Sequence, residues 1–479
     1  EFLYIRRDQF SQITYFQPTA SISYGFIEMQ PAIIKNSFSF LKGTVFPPGD
    51  KSISHRVVFI GSIAKGMTRA NNFLFSQDSM ATIAAFRKMG VKITTDKKNR
   101  KITIRGQGLS GLSVSKSPLD IVESGTTMRI LSGILSGQRF SSRLIADYAL
   151  TKRPMRRIIA PLRLMGADIS GRKIKREHYP PLSINGKGLR SIEYTLPVPS
   201  AQVKSAILFA GLYANGRTVV REKIKSRDHT ERMLKLFGAD INVSGLKISI
   251  KKSHLKSPGP INVPSDISSA AFFVALAVLS PRADLTIKSV GLNPTRMGII
   301  NVLKRMGADI RILNRNIRNL ASKKEPATDI RIKNSKLAGV YVSASEVPSM
   351  IDELPILMVA ASLADGKTTI EGVSELRFKE TDRINSMLTN LNKMGAKISI
   401  KTKKIGKKRK EYIEIIGVDR LHGAKVKSFG DHRTAMSMIV AGLLAEGETS
   451  LDDVSCIDKS FPDFVKIVRN LLSRRSIIT

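Results

Sequence analysis

Apolar positions follow two alternating rhythms along the chain. In one they return every three or four residues, as Ile83, Phe86 and Met89 do, which places them on one face of a helix. In the other they alternate with polar residues. Ile241 and Val243, then Leu246, Ile248 and Ile250 around Ser244–Gly245, predict two strands joined by a tight turn. One phrase marks the change of rhythm: FRKMGVKI (86–93), LRLMGADI (162–169), LKLFGADI (234–241), LKRMGADI (303–310) and LNKMGAKI (391–398). Its glycine (Gly90, Gly166, Gly238, Gly307, Gly395) stands where a helix ends in the left-handed conformation, which a residue without Cβ adopts freely. Each phrase therefore predicts helix, glycine stop, strand, turn, strand. Recurrence at similar spacing means internal repetition. A last helical segment, FPDFVKIVRNLLS (461–473), belongs to a sixth unit that runs out of chain, and SFSFLKGTVF (37–46) is expected to supply its missing strand. The pattern predicts an α/β protein of six related units in two groups of three, with both chain ends in one domain.

Composition narrows the class. The chain has 479 residues, 42% hydrophobic and 24% charged, enough for two or more domains. No apolar run reaches the ~18–20 residues that span a bilayer, so a soluble, cytoplasmic protein without a membrane partner is expected. A single cysteine, Cys456, excludes a disulfide framework and fits a reducing compartment. The six histidines are scattered and carry no metal-ligand spacing, so neither a metal nor a cofactor is expected. The formal net charge of +39 would suit a nucleic-acid partner. However, the Lys and Arg are spread along the whole chain. Their one dense run, KTKKIGKKRK (401–410), lies between alternating stretches and reads as a solvated hairpin tip. With no helix-turn-helix, zinc finger or aromatic RNA-binding signature, no nucleic-acid partner is expected. Residues 1–36 are expected to be an extension outside the fold, disordered or foreign to the native chain. Residues 1–28 have no secretory apolar core, and the native start is placed at Met29.

Polar clusters interrupt the scaffold. GDKSISHR (49–56) suggests a phosphate loop, but Asp50 separates Gly49 from Lys51 and would set a carboxylate where the donors should meet phosphate. This excludes an ATP loop and leaves Lys51, Ser52 and Arg56 for another anion. ESGTTMR (123–129), KRPM (152–155), PSAQVKSA (199–206) and SRDHTE (226–231) each open a helix with small or polar residues and carry Arg, Lys or Gln. Helix N-termini offer free N–H groups and the positive end of the dipole to an anion. Each alone reads as a helix cap; their number points to anion binding. PSMIDELP (348–355) sets Asp352 and Glu353 before a strongly apolar helix. In LRFKETDRI (376–384), Lys379 and Arg383 are spaced to share a helix face. GDHR (430–433) and KSFPDF (459–464) complete the set.

In this order, GDKSISHR, ESGTTMR, RPM, SAQVKSA, SRDHTE, DISSAAFF, IDELP, KETDR, GDHR and KSFPDF resemble the 5-enolpyruvylshikimate-3-phosphate synthases over about residues 37–466. SAQVKSA, SRDHTE and NPTRMG (293–298) resemble the bacterial branch that includes glyphosate-tolerant members. The resemblance implies the two-domain enolpyruvyl transferase fold, six βαβαββ repeats joined by two crossover strands near Lys51 and Ser265. One domain would comprise 37–51 plus 265–479 and the other 52–264. It implies transfer of the carboxyvinyl group of phosphoenolpyruvate to shikimate 3-phosphate, in aromatic amino acid biosynthesis, by a monomer. Shikimate 3-phosphate would be held by Lys51, Ser52, Arg56, Ser200, Ala201, Gln202, Arg227, Asp352 and Lys379. Phosphoenolpyruvate would be held by Lys51, Gly125, Arg153, Gln202, Arg383, Arg433 and Lys459. Asp352 would act as base and Glu380 as acid, with Lys51 and His432 assisting. Glu123 and Glu375 depart from the asparagines common in the family. The sister enzymes that use UDP-N-acetylglucosamine share the repeats, but GDKSISHR and the place of Cys456 beside Lys459 argue for shikimate 3-phosphate.

Overall fold

The computed structural model describes residues 13–15, 29–35, 40–313, 325–405 and 408–472. The five stop glycines all have positive φ: +87° at Gly90, +90° at Gly166, +87° at Gly238, +105° at Gly307 and +85° at Gly395. After each comes an antiparallel pair, such as Ile241–Ser244 with Lys247–Lys251 and Lys397–Ile405 with Lys408–Ile416. Among the described residues, six four-stranded sheets share one pairing pattern, a parallel pair followed by two antiparallel pairs. Tyr341–Val342, Lys367–Glu371, Lys408–Ile416 and Lys397–Ile405 are one of them, in order across the sheet, with the first pair parallel and the others antiparallel. The helix Leu354–Ser362 joins the first strand to the second, and Arg383–Lys393 joins the second to the hairpin.

The N-terminal chain completes the sixth sheet, but not with the expected segment. Ala32–Lys35 pairs antiparallel with Glu448–Leu451, and Ile13–Tyr15 pairs with Ala32–Lys35. Two expectations are corrected here. Residues 32–35 lie inside the fold, because Ala32 and Ile34 are fully buried in the sheet interior. The stretch 37–46 serves a different sheet: Lys42–Val45 pairs parallel with Asp284–Gly291.

Buried apolar side chains form two clusters. One joins Ala32, Ile34, Leu41 and Val45 to residues from Ile267 onward; the other runs from Ile53 to Val263. The chain passes between them twice, side by side: Asp50 N donates to Pro264 O at 2.8 Å and Asp266 N to Pro48 O at 2.9 Å. The first helix of each unit is central and the second peripheral. Every residue from Ile267 to Val278 is buried in Ile267–Leu279, whereas Gly298–Arg305 buries one side and turns Lys304 and Arg305 to solvent. No helix among the described residues is long and apolar enough to cross a membrane.

Candidate active site

The six central helices present their N-termini to one cleft of about 540 Å³, whose wall includes Lys51 and Ser52, Gly125 and Thr126, and Ser200 and Ala201. From the other cluster come Asp266 and Ser268, Asp352, and His432 and Arg433. Asp50, Ser124, Ser200, Asp266 and Asp431 cap five of these helices, the first four taking one orphan N–H each and Asp431 two, a contribution of about 1 kcal/mol per cap. The remaining first-turn N–H groups and the dipoles favour an anion in the cleft. Among the described residues the wall carries ten Lys and Arg against six Asp and Glu.

Asp50 does not obstruct the first helix. Its carboxylate accepts from Ile53 N at 2.9 Å and faces away toward Arg296. Lys51 pairs with Asp78. Arg56 is turned into the protein, donating to Thr230 Oγ1 at 2.6 Å, Ser205 Oγ at 3.0 Å and Ser52 O at 2.8 Å. A Cβ on Gly125 would stand 2.9 Å from both Arg129 Nη1 and Arg153 Nη1, so a glycine lets two guanidiniums converge over this helix start. Arg129 donates to Gln202 Oε1 at 2.8 Å, and Gln202 Nε2 to Thr126 Oγ1 at 3.0 Å. Burial and then the neighbouring Arg153 lower the Arg129 pKa.

The acidic station faces this wall. Asp352 accepts from Arg227 at 2.6 Å, Lys379 at 3.0 Å and Arg383 at 3.2 Å. Burial pushes its carboxyl up, but Lys379, Arg227, Arg433 and Arg383 outweigh it and hold it well below the ordinary carboxylate range. Arg383 is the keystone: it is almost wholly buried and binds Asp352, Glu380 at 2.6 Å and Asp431 at 2.8 Å. Glu380 also lies 3.6 Å from Arg153 and is held well below its usual range, Arg383 and Arg153 outweighing burial. Burial and then Lys51 keep the His432 imidazole neutral at pH 7. Lys379 and Arg383 reach Asp352 without sharing a helix, contrary to their spacing. Asp382 caps a helix that begins only at Arg383, and Lys379 lies in the extended link after Val373–Phe378.

The sequence-predicted residues Lys51, Ser52, Arg56, Gly125, Arg153, Ser200, Ala201, Gln202 and Arg227 line the cleft. So do Asp352, Lys379, Glu380, Arg383, His432 and Arg433. Lys459 stands off this wall: its ammonium is 2.6 Å from Glu123 Oε2 and donates to Gly430 O at 3.3 Å. Glu375 forms two hydrogen bonds with Arg157, at 2.8 and 3.0 Å. Sequence reasoning left Arg129 out of the site, although it stands four residues after Gly125 on the same helix. It also missed Arg296, which meets Asp50 at 3.2 Å, Asp266 at 3.3 Å and Glu353 at 3.6 Å. One buried guanidinium thus ties together the caps of both helices that follow the crossovers. Among the described residues no group of three or more His, Cys, Asp or Glu is placed to hold a metal.

A family profile described as EPSP synthase (3-phosphoshikimate 1-carboxyvinyltransferase) matches residues 36–468. The 3-phosphoshikimate 1-carboxyvinyltransferase of Citrifermentans bemidjiense is 48% identical over 434 residues, covering 91% of this chain and 97% of its own. That of Thermoanaerobacter pseudethanolicus is 45% identical over 428 residues, covering 89% and 97%. The solved EPSP synthase of Acinetobacter baumannii superposes with a TM-score of 0.80 at 43% identity, over 93% of this chain and 98% of that one. The enolpyruvyl transferase NikO of Streptomyces tendae shares the fold, with a TM-score of 0.71 at 17% identity over 93% and 98% of the two chains. With its profile match, these relatives and a cleft built from both halves of the molecule, the chain belongs to the EPSP synthase (3-phosphoshikimate 1-carboxyvinyltransferase) family.

Proposed function

We propose that the cleft transfers the carboxyvinyl group of phosphoenolpyruvate to the 5-hydroxyl of shikimate 3-phosphate and releases phosphate. The observation that carries this reading is Arg383 holding two carboxylates, Asp352 and Glu380, inside a strongly cationic cleft. Two substrates that each bear a phosphate and a carboxylate bring roughly five to six negative charges together, at about −1.5 to −2 per phosphate. The cations and helix N-termini offset that repulsion, and Arg suits bidentate contact with oxyanions.

In this reading Arg227, Lys379, Lys51 and Arg56 with Ser52, Ser200, Ala201 and Gln202 receive shikimate 3-phosphate. Arg153, Arg383, Arg433 and Lys459 receive phosphoenolpyruvate beside Gly125, with Arg129 added to the set. Substrate anions replace the partners that Asp352 and Glu380 hold in the free protein. Asp352, released from Arg227 and Lys379, takes the proton of the 5-hydroxyl as its oxygen attacks C2 of phosphoenolpyruvate. Glu380, drawn out of its contacts with Arg383 and Arg153, gains proton affinity and delivers a proton to C3. The resulting tetrahedral adduct returns a proton from its new methyl group to Glu380, the C2–O bond to phosphate breaks and the vinyl double bond returns. Lys51 and neutral His432 steady the charge beside Glu380.

The two buried clusters correspond in this account to two domains, 52–264 and 265–479 with 37–51. Residues 32–35 and 13–15 join the latter. Cleft walls from both support closure on the substrates. One chain supplies every station, which favours a monomer, and the composition favours the cytoplasm, without nucleic-acid partners. The branch motifs point to relatives that include glyphosate-tolerant enzymes; Gly125 itself favours sensitivity. Phosphate release that requires both substrates tests the activity, and release with another acceptor but not with shikimate 3-phosphate would contradict it.

A further inference from the structure

We propose that Glu123 sets the affinity of the cleft for phosphoenolpyruvate by competing for Lys459, which makes it a specificity-determining residue; the inference rests on the activity proposed above. Glu123 lies just before Ser124, the cap of Gly125–Ser136, the helix over whose start Arg129 and Arg153 converge. Lys459 comes from the other half of the molecule, and its ammonium meets Glu123 Oε2 at 2.6 Å, just off the cleft wall. Both side chains are mostly enclosed, 15% and 20% exposed, so water screens the pair only in part.

The ammonium is near the chemistry but engaged elsewhere. It also donates to Gly430 O, two residues before His432 and three before Arg433, both of which line the cleft. The charge of Glu380 reaches it, and Glu123 raises its pKa against the opposing effect of burial. An anion reaching for Lys459 must share it with a carboxylate already in contact and must sit close to that carboxylate's charge. Both effects weaken binding of phosphoenolpyruvate and leave shikimate 3-phosphate, assigned above to Arg227 and Lys379, untouched.

A second ion pair between the two halves provides an internal control. Glu375 bridges the cleft, to Arg157, but that pair is 37% and 43% exposed and occupies no cation assigned to a substrate. Each pair sets a carboxylate against a cation from the other half; of the two, Glu123 alone holds a cation assigned to a substrate.

The test is steady-state kinetics of Glu123→Gln, Glu375→Gln, Lys459→Met and the Glu123→Gln/Lys459→Met double variant, with phosphoenolpyruvate varied at saturating shikimate 3-phosphate. Glu123→Gln is expected to lower the KM for phosphoenolpyruvate roughly threefold to tenfold, the scale of one largely enclosed ion pair. Its kcat and its KM for shikimate 3-phosphate should stay within about twofold. Glu375→Gln should leave all three constants within about twofold, and Glu123→Gln should lower the KM for phosphoenolpyruvate less in the Lys459→Met background than in the wild type. An unchanged or raised KM in Glu123→Gln would overturn the proposal. So would an equal fall in Glu375→Gln, which would assign the effect to bulk charge. Wild-type protein that releases no phosphate would refute the underlying activity, and the inference with it.

Discussion

Replacing Asp352 with Asn keeps the shape of the side chain and removes its charge, and the structure sets the size of two consequences. The first is electrostatic. The carboxylate accepts from Arg227, Lys379 and Arg383 and is held well below its ordinary range. A carboxyl depressed in the folded state contributes stability above its unfolded pKa of about 3.9, and that contribution is lost as pH falls through the folded value. The variant should therefore be less stable than the parent at pH 7, with the difference closing at strongly acid pH. Removing one partner of a buried pair costs about 3–5 kcal/mol. Asp352 and Arg227 keep 17% and 16% exposure, so a smaller loss is expected. About 1–3 kcal/mol, or a fall of roughly 2–12 °C in Tm, is consistent with that partial screening. The second consequence is chemical. Asn cannot accept the hydroxyl proton, so turnover should fall ~10²–10⁴-fold. The freed Arg227 and Lys379 should still bind shikimate 3-phosphate. Phosphate release at saturating substrates and thermal unfolding across pH read both effects. Turnover within a few-fold of the parent would remove Asp352 as the base, and an unchanged Tm at pH 7 would refute the electrostatic account.

Arg296→Met leaves Asp50, Asp266 and Glu353 as buried carboxylates without their shared cation, and should destabilise by about 3–5 kcal/mol in urea unfolding. A loss under about 1 kcal/mol would deny Arg296 its tie between the two crossovers. Removing residues 1–28 should keep activity, since it takes away one edge strand, Ile13–Tyr15. Removing 1–36 also deletes Ala32 and Ile34 from the buried sheet and should lower Tm markedly; equal behaviour of the two truncations would contradict the placement of Ala32–Lys35. Gly125→Ala drives a methyl against Arg129 and Arg153 and should weaken glyphosate more than phosphoenolpyruvate, from a parent that is inhibited. Identical inhibition curves at matched phosphoenolpyruvate would refute the size argument.

Legibility in the sequence followed the range of the interaction. The helix stops were readable because the left-handed φ of Gly90 or Gly395 is a local property with a local cause. The strand that completes the last sheet was not. Residues 32–35 and 42–45 are both short and partly apolar, and what separates them is the partner each meets far along the chain. The candidate anion stations stood out because each sits at a helix start, yet Lys379 and Arg383 misled through a spacing that fits a helix the backbone does not form there. Arg296 carried no local signal. Its role comes from Asp50, 246 residues away, and from two caps that only the fold brings together. The capture of Lys459 by Glu123 was equally hidden, because it depends on how two distant segments face each other.

The central claim is addition and elimination at C2 of phosphoenolpyruvate, with a proton entering and leaving C3 between the two steps. Phosphoenolpyruvate labelled with oxygen-18 at the atom bridging C2 and phosphorus, turned over with shikimate 3-phosphate in deuterium oxide, tests it most directly. The account expects the label in the released phosphate and deuterium in the product methylene. Label retained on carbon, or a product methylene free of deuterium, would contradict it.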